Sequence, residues 1–312
     1  MLLAIERPVV VFDTSAINAL HEDVDRDAKL RILRCAYYPR LVFSVLDELV
    51  ATPDSYKNKQ FYDMSLSLQS AGDCMLPFNY LLIAHISAYC SGTPYDWKAV
   101  NCNGNDMKKA IIDNRHGMTE ILTEEQRTSN KSTEDQYKAA LKSFRKLLQG
   151  AQDPQGTYQT AEDFLKSTLE ANGRFWRLAA SLMNKALEII NEERESEVVQ
   201  KELSPLSHEL AHKKFAPSDA VEFAEICPPF KTLIYGISQS EYSRVHDPSL
   251  NSKQREKSAG RADTYMSTYL PYCRFFVTND AGQFQCLAPT ALRSDVQSDV
   301  LMYDDFWKKL PY

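Results

Sequence analysis

One short stretch constrains this chain more than any other: VVVFDTSAIN, residues 9–18. Three valines and a phenylalanine in unbroken succession read as a strand covered on both faces, the pattern of a parallel sheet. The strand runs straight into an acid, Asp13, followed by two hydroxyls, Thr14 and Ser15. In open α/β sheets the carboxyl ends of strands are where ligands and catalytic groups collect. An aspartate there can equally be the N-cap of a helix that starts at Thr14 or Ser15. The stretch alone leaves both readings open.

The rest of the chain sets the context. The first 55 residues read strand, helix, helix, strand, helix: VVVF, SAINALHED, DAKLRILRCAYY, LVFS and VLDELVA. Short β-rich runs alternating with helices imply a parallel sheet. From about Ser55 to Glu225 the pattern is helical, with capped segments such as STEDQYKAALKSFRKLLQG and TAEDFLKSTLEANG, and FWRLAASLMNKALEIINEE continuing with apolar residues at helical spacing. The α/β character then returns: RADTYMSTYLPYC as a helix, RFFVTND as a strand ending in an acid, DVLMYDDFWKKL as a strand and a helix. The expected architecture is α/β, a parallel sheet flanked by helices. It is made from residues 1–55 and 226–312 and interrupted by a large all-helical insertion, 56–225. That insertion is expected to pack as mostly antiparallel helices and to contribute no strand.

Composition narrows the setting. The 312 residues are enough for a sizeable core, and 44% hydrophobic with 25% charged residues is ordinary for a soluble domain. The longest apolar run, LLIAHISAYC, is too short to span a bilayer and contains His85, so no membrane partner is expected. The first apolar run ends at Asp13, which is not the pattern of a leader peptide. Seven cysteines, scattered and without a C-x-x-C pair, suit reduced thiols and a cytoplasmic location. A net charge of −6 argues against indiscriminate coating of nucleic acid but permits a local basic groove.

Three further acids recur in comparable places. Glu48 lies one turn into the helix of SVLDELVA, Asp263 starts the helix of GRADTYM, and Asp280 ends the strand of FFVTND. Strand ends and the helix starts that follow them open onto one sheet edge, so the four carboxylates are expected to converge. Clustered like charges repel unless a cation joins them, and hard divalent ions such as Mg²⁺ or Mn²⁺ take oxygen ligands. Ions held this way activate water and stabilise the oxygens of a phosphoryl displacement. Each acid also has a plain structural reading. Asp13 and Asp263 can be helix caps, Glu48 a solvated helix residue, and the adjacent Asp47 the inward-facing acid instead. Asp304 and Asp305 read as caps of the last helix.

With these residues in place, the chain resembles the PIN-domain family of nucleases, named for the PilT amino terminus. The resemblance is carried by VVVFDTSAIN, by SVLDELVA, and by ADTYMSTYLPYCRFFVTNDAGQF, and covers roughly residues 1–55 and 240–312. It does not extend over the helical middle, which is much longer than the family's usual connection. It implies Asp13, Glu48, Asp263 and Asp280 as catalytic, metal-binding acids, with Mg²⁺ or Mn²⁺ as cofactor. Ser15, Thr278 and Asn279 then orient Asp280 or a metal-bound water. RNA is the implied substrate, and the activity an endoribonuclease, as in toxins or antiviral-defence effectors by analogy. The insertion would choose the substrate, bind a regulatory protein or mediate homo-oligomers. A PIN-like binding module without catalysis is the alternative.

The residues add to this. KQREKSAGR places Lys253, Arg255, Lys257 and Arg261 directly before Asp263, a segment fit for phosphate contacts. Lys138, Lys142, Arg145 and Lys146 share a helix face that reads equally as solvated surface. Tyr235, Tyr242 and Tyr265 are candidates to stack on bases. A rival motif, HELAH at 208–212, matches the H-E-x-x-H zinc-peptidase helix. Pro205 puts His208 in the first turn, and Lys213 and Lys214 follow directly. A short amphipathic helix packing Leu206, Leu210 and Phe215 accounts for it more simply. No Gly-rich phosphate loop is present, a phosphatase of the haloacid-dehalogenase type would need an acid where Ser15 stands, and a response-regulator receiver would need a preceding acidic pair.

Overall fold

The computed structural model describes residues 7–50, 74–105 (Gly92 excepted), 174–195, 213–246 and 260–309, with isolated positions between 60 and 68 and between 128 and 164. The first run is β1 (Val9–Phe12), α1 (Thr14–Glu22), α2 (Arg26–Ala36), β2 (Tyr38–Arg40) and α3 (Phe43–Val50). Then come α4 (Phe78–Tyr89), α5 (Arg174–Glu195), α6 (Pro217–Ile226) and α7 (Pro228–Glu241), the last running into a π-helical turn, Tyr242–His246. The chain ends with α8 (Arg261–Tyr265), a 3₁₀ helix (Met266–Tyr272), β3 (Phe275–Thr278), α9 (Ala281–Arg293), β4 (Asp299–Met302) and α10 (Tyr303–Lys308).

The four strands form one all-parallel sheet in the order β2-β1-β3-β4. Val10 and Val11 of β1 and Phe276 and Val277 of β3 are fully buried, which is why neither strand alternates polar with apolar residues. Helix α1 turns Ala16, Ile17 and Leu20 inward, and Phe306 of α10 meets Phe12 edge-on, ring centroids 5.7 Å apart. From β1 the chain moves outward to β2 on one side; from β3 it moves outward to β4 on the other. The sheet order therefore reverses between β1 and β3, where open α/β sheets form their ligand crevice.

Two sequence expectations shift here. The second strand was expected at LVFS, residues 41–44; it lies at Tyr38–Arg40, and Phe43 already begins α3. Pro39 disguised it, because a proline argues against a central strand. β2 is the sheet edge, where a missing N–H is tolerated. Leu41 and Val42 are buried at the entry to α3, where Val42 makes only a single-residue bridge, to Met75. Likewise RADTYMSTYLPYC is not one α-helix. Pro271 sits inside its second half, and the hydroxyls of Ser267 and Thr268 bond back to the carbonyls of Thr264 and Tyr265, tightening it to 3₁₀.

Between residues 60 and 220, Met75 makes a single-residue parallel bridge with Val42 and an antiparallel one with Asn103; the other described elements there are helices. One hydrophobic core surrounds the sheet, and a second is built from Leu82 and Ile86 of α4, Phe175 and Met183 of α5, Phe223 of α6 and Phe230 of α7. Helix α7 packs against α6 of the second core and against α9 and the 3₁₀ helix beside the sheet. Gly236 permits that approach: a Cβ there would stand 2.7 Å from Ser267 Oγ and 3.0 Å from Ser267 Cβ. Gly236→Ala is therefore expected to cost about 1–3 kcal/mol, the usual penalty of overpacking, read as a lower melting temperature by circular dichroism. Among the described residues no helix is long and apolar enough to cross a membrane.

Candidate functional site

Asp13 and Asp280 leave β1 and β3 on the same sheet edge, at the point where the strand order reverses. Both are helix N-caps: Asp13 accepts from Ala16 N at 2.7 Å, and Asp280 from Gln283 N at 2.8 Å. The capping reading and the site reading are thus not exclusive. A cap fixes a carboxylate at the mouth of the crevice.

Asp13 is buried, 5% exposed, and tied to the neighbouring strand. Its backbone N–H donates to Val277 O at 3.1 Å. Ser15 Oγ lies 2.8 and 2.9 Å from its two carboxylate oxygens, and Thr278 Oγ1 donates to Oδ2 at 2.8 Å. Thr278 Oγ1 in turn accepts from Asp280 N at 3.0 Å, and Ser15 Oγ from Asn279 N at 2.7 Å. Ser15 and Thr278 therefore link the two strand ends through their hydroxyls. Asn279 contributes its backbone N–H, while the residue itself is exposed.

Asp263 is the third residue of its helix and takes Gly260 N at 2.8 Å on one oxygen. Its other oxygen takes Gln283 Nε2 at 3.3 Å. Glu48 sits on α3 and accepts from Thr14 Oγ1. The side chain of Asp47 lies outside the described residues. Thr14 and Gln283 are site residues that sequence reasoning missed. Their signal was adjacency to Asp13 for one, and for the other a place three residues beyond Asp280, one turn up the same helix.

The electrostatics join what the hydrogen bonds hold apart. Burial pushes the Asp13 carboxyl up to about 7; the bonds from Ala16, Thr278 and Ser15 oppose this, and the charge of Asp263 adds to it. Crowding by surrounding protein also lifts Glu48, against the bond from Thr14; Asp263 raises it further and Arg261 lowers it. Glu48 as a residue is exposed at the rim, so solvent screens its share. Asp263 is thus within electrostatic reach of both Asp13 and Glu48.

Oxygen donors on a buried carboxyl raised this far fit a hard cation by their chemistry. Among the described residues, however, no three acidic, histidine or cysteine side chains stand together as a ready metal-ligand group. Each acid is held by its own donors instead.

Arg261 stands beside this site, its guanidinium 5.6 Å from the centroid of the Tyr265 ring, which stacks on Phe78 at 3.7 Å. Tyr265 is thereby occupied on both counts. Tyr242 is buried against Phe164 and is not available to a base, which corrects its expected stacking role. Tyr235 is half-buried under Lys231. Asp304 and Asp305 lie in the first turn of α10, directly after β4 and so at the same end of the parallel sheet as Asp13, but the N-cap of that helix is Met302 and neither acid caps it. Lys253, Arg255 and Lys257, the helix face of Lys138 to Lys146, and the HELAH segment lie outside the described residues.

Comparison of the chain with protein-family models, with curated proteins and with solved structures found no match. The functional reading rests on the geometry of this edge and on the resemblance of its residues.

Proposed function

We propose that the chain is a metal-dependent endoribonuclease whose site is the acidic crevice between β1 and β3. The observation that carries this reading is Asp13: a carboxyl buried at the switch point of a parallel sheet, raised to about 7, with the charge of Asp263 contributing. Such a group is short of a cation. Asp13, Glu48, Asp263 and Asp280 would hold Mg²⁺ or Mn²⁺, which when bound supplies an activated water and charge stabilisation at a phosphate. The chain's own contributions are separate. Ser15 and Thr278 fix the orientation of Asp13, Gln283 spans from Asp280 to Asp263, and Arg261 offers a guanidinium to a phosphate oxygen near Glu48.

The test is Mn²⁺-supported cleavage of a mixed single-stranded RNA pool, read by gel, with EDTA as the blank. Thr278→Val keeps the shape of the side chain but removes the hydroxyl between Asp13 and Asp280. It is expected to lower cleavage by roughly 10- to 100-fold, the usual effect of losing an outer-shell partner, with folding retained.

One observation favours a second reading, a PIN-like module that binds without cleaving: the described acids form no ready ligand group. RNA binding by the wild type with no cleavage at any Mn²⁺ concentration would select it.

A further inference from the structure

A second concave site lies elsewhere on the molecule and shares no residue with the acidic crevice. It is an open cleft of about 400 Å³ whose lining includes Arg40, Lys98, Trp97, Tyr272, Asn101 and Asn103. That volume falls in the ~300–1,000 Å³ range of small-ligand sites. Its described lining holds two cations, two aromatic rings and two amides, and no carboxylate. In a chain of net charge −6 this is a local reversal of sign.

The aromatic wall is fixed from behind. Tyr272 hydroxyl meets His85 Nε2 at 2.5 Å, and His85 Nδ1 meets the Tyr95 hydroxyl at 2.7 Å. His85 is 1% exposed, and burial depresses it to about 4, so the imidazole is neutral and links the two phenols without adding charge. Trp97 stands edge-to-face on Tyr272, centroids 5.4 Å apart at 72°. Arg40 lies near enough for its charge to act on the Tyr272 hydroxyl. The rim is ordered by its own turns: Asn101 Oδ1 accepts from Asn103 N, and Asn103 Oδ1 from Asn105 N. Lys98 is exposed, with Nζ 5.6 Å from the centroid of the Trp97 ring. An exposed cation–π contact of this sort is weak, and the four-carbon stem lets the ammonium exchange the ring for an anion.

We propose that this cleft binds a nucleotide, its base against Trp97 and Tyr272 and its phosphate between Arg40 and Lys98. Rings give a base a stacking surface whatever its identity, and the two cations select for the charged phosphate. The nucleotide is either free or one unit of a single strand, and the chemistry of recognition is the same. The assignment does not depend on cleavage at the acidic crevice.

The full chain is titrated in EDTA, so that no cleavage occurs, with AMP, adenosine, inorganic phosphate and a four-nucleotide single-stranded RNA, followed by tryptophan fluorescence and calorimetry. Saturable AMP or tetranucleotide binding is expected. Trp97→Ala and Lys98→Ala are each expected to weaken it roughly tenfold, with the melting temperature kept as the folding control. A tetranucleotide at least tenfold tighter than AMP assigns the cleft to a strand; equal affinities assign it to a free nucleotide. Absence of saturable binding by both, binding unchanged in both variants, or phosphate competing as well as AMP would overturn the assignment.

Discussion

Asp13→Asn is expected to fold as the parent does and to lose Mn²⁺-supported RNA cleavage by roughly a hundred- to thousandfold, the scale on which one electrostatic contact at a reacting centre acts. The substitution suits this site. Asparagine keeps an oxygen for the Ala16 N–H, so the cap of α1 survives. Its amide, in the place of Oδ2, then donates toward Thr278 Oγ1, which turns from donor to acceptor, and Ser15 can still donate to the remaining Oδ1. What disappears is one negative charge from the set that would hold the cation. RNA binding should persist, because Arg261 is untouched. The variant is compared with wild type by gel-read cleavage at several Mn²⁺ concentrations and by circular dichroism. Undiminished cleavage by a folded Asp13→Asn variant would refute the nuclease assignment.

The part of this site that could be read in the sequence is the part written in local pattern. VVVF and RFFVT announce themselves as buried strands because both faces of a central parallel strand are covered, and an acid after each is visible at once. Edge strand β2 was misplaced by three residues because Pro39 breaks the pattern that a central strand would require. Gln283 was missed for a different reason. Its amide matters only because α8 and α9 lie side by side, so that it reaches Asp263 twenty residues away. Thr14 is a comparable case, since its partner Glu48 comes from α3. Those contacts are set by tertiary packing, and no local propensity encodes them. Tyr242 shows the converse error: sequence offers an aromatic, and only packing against Phe164 shows that it is spoken for.

The second large effect is on stability and depends on pH. Asp13 has its carboxyl raised from an ordinary value near 3.8 to about 7 in the folded chain. Below pH ~4 the group is protonated in both states, and its burial costs nothing in charge. As pH rises from there to about 7 the unfolded chain releases the proton while the folded chain retains it, so stability falls. Above about 7 the loss is complete, roughly 4 kcal/mol for a shift of this size. Asp13→Asn removes the titration altogether. In EDTA the variant should therefore melt higher than wild type by roughly 6 °C at pH 8, with the gap closing toward pH 4. A cation at the crevice offsets the same buried charge, so Mn²⁺ should raise the wild-type melting temperature at pH 8 and leave the variant nearly unmoved. Scanning calorimetry of both proteins between pH 4 and 8, with and without Mn²⁺, checks the sign, the window and the metal dependence together. A gap that stays constant across that range would mean that the Asp13 carboxyl ionises with equal ease in the folded and unfolded chains.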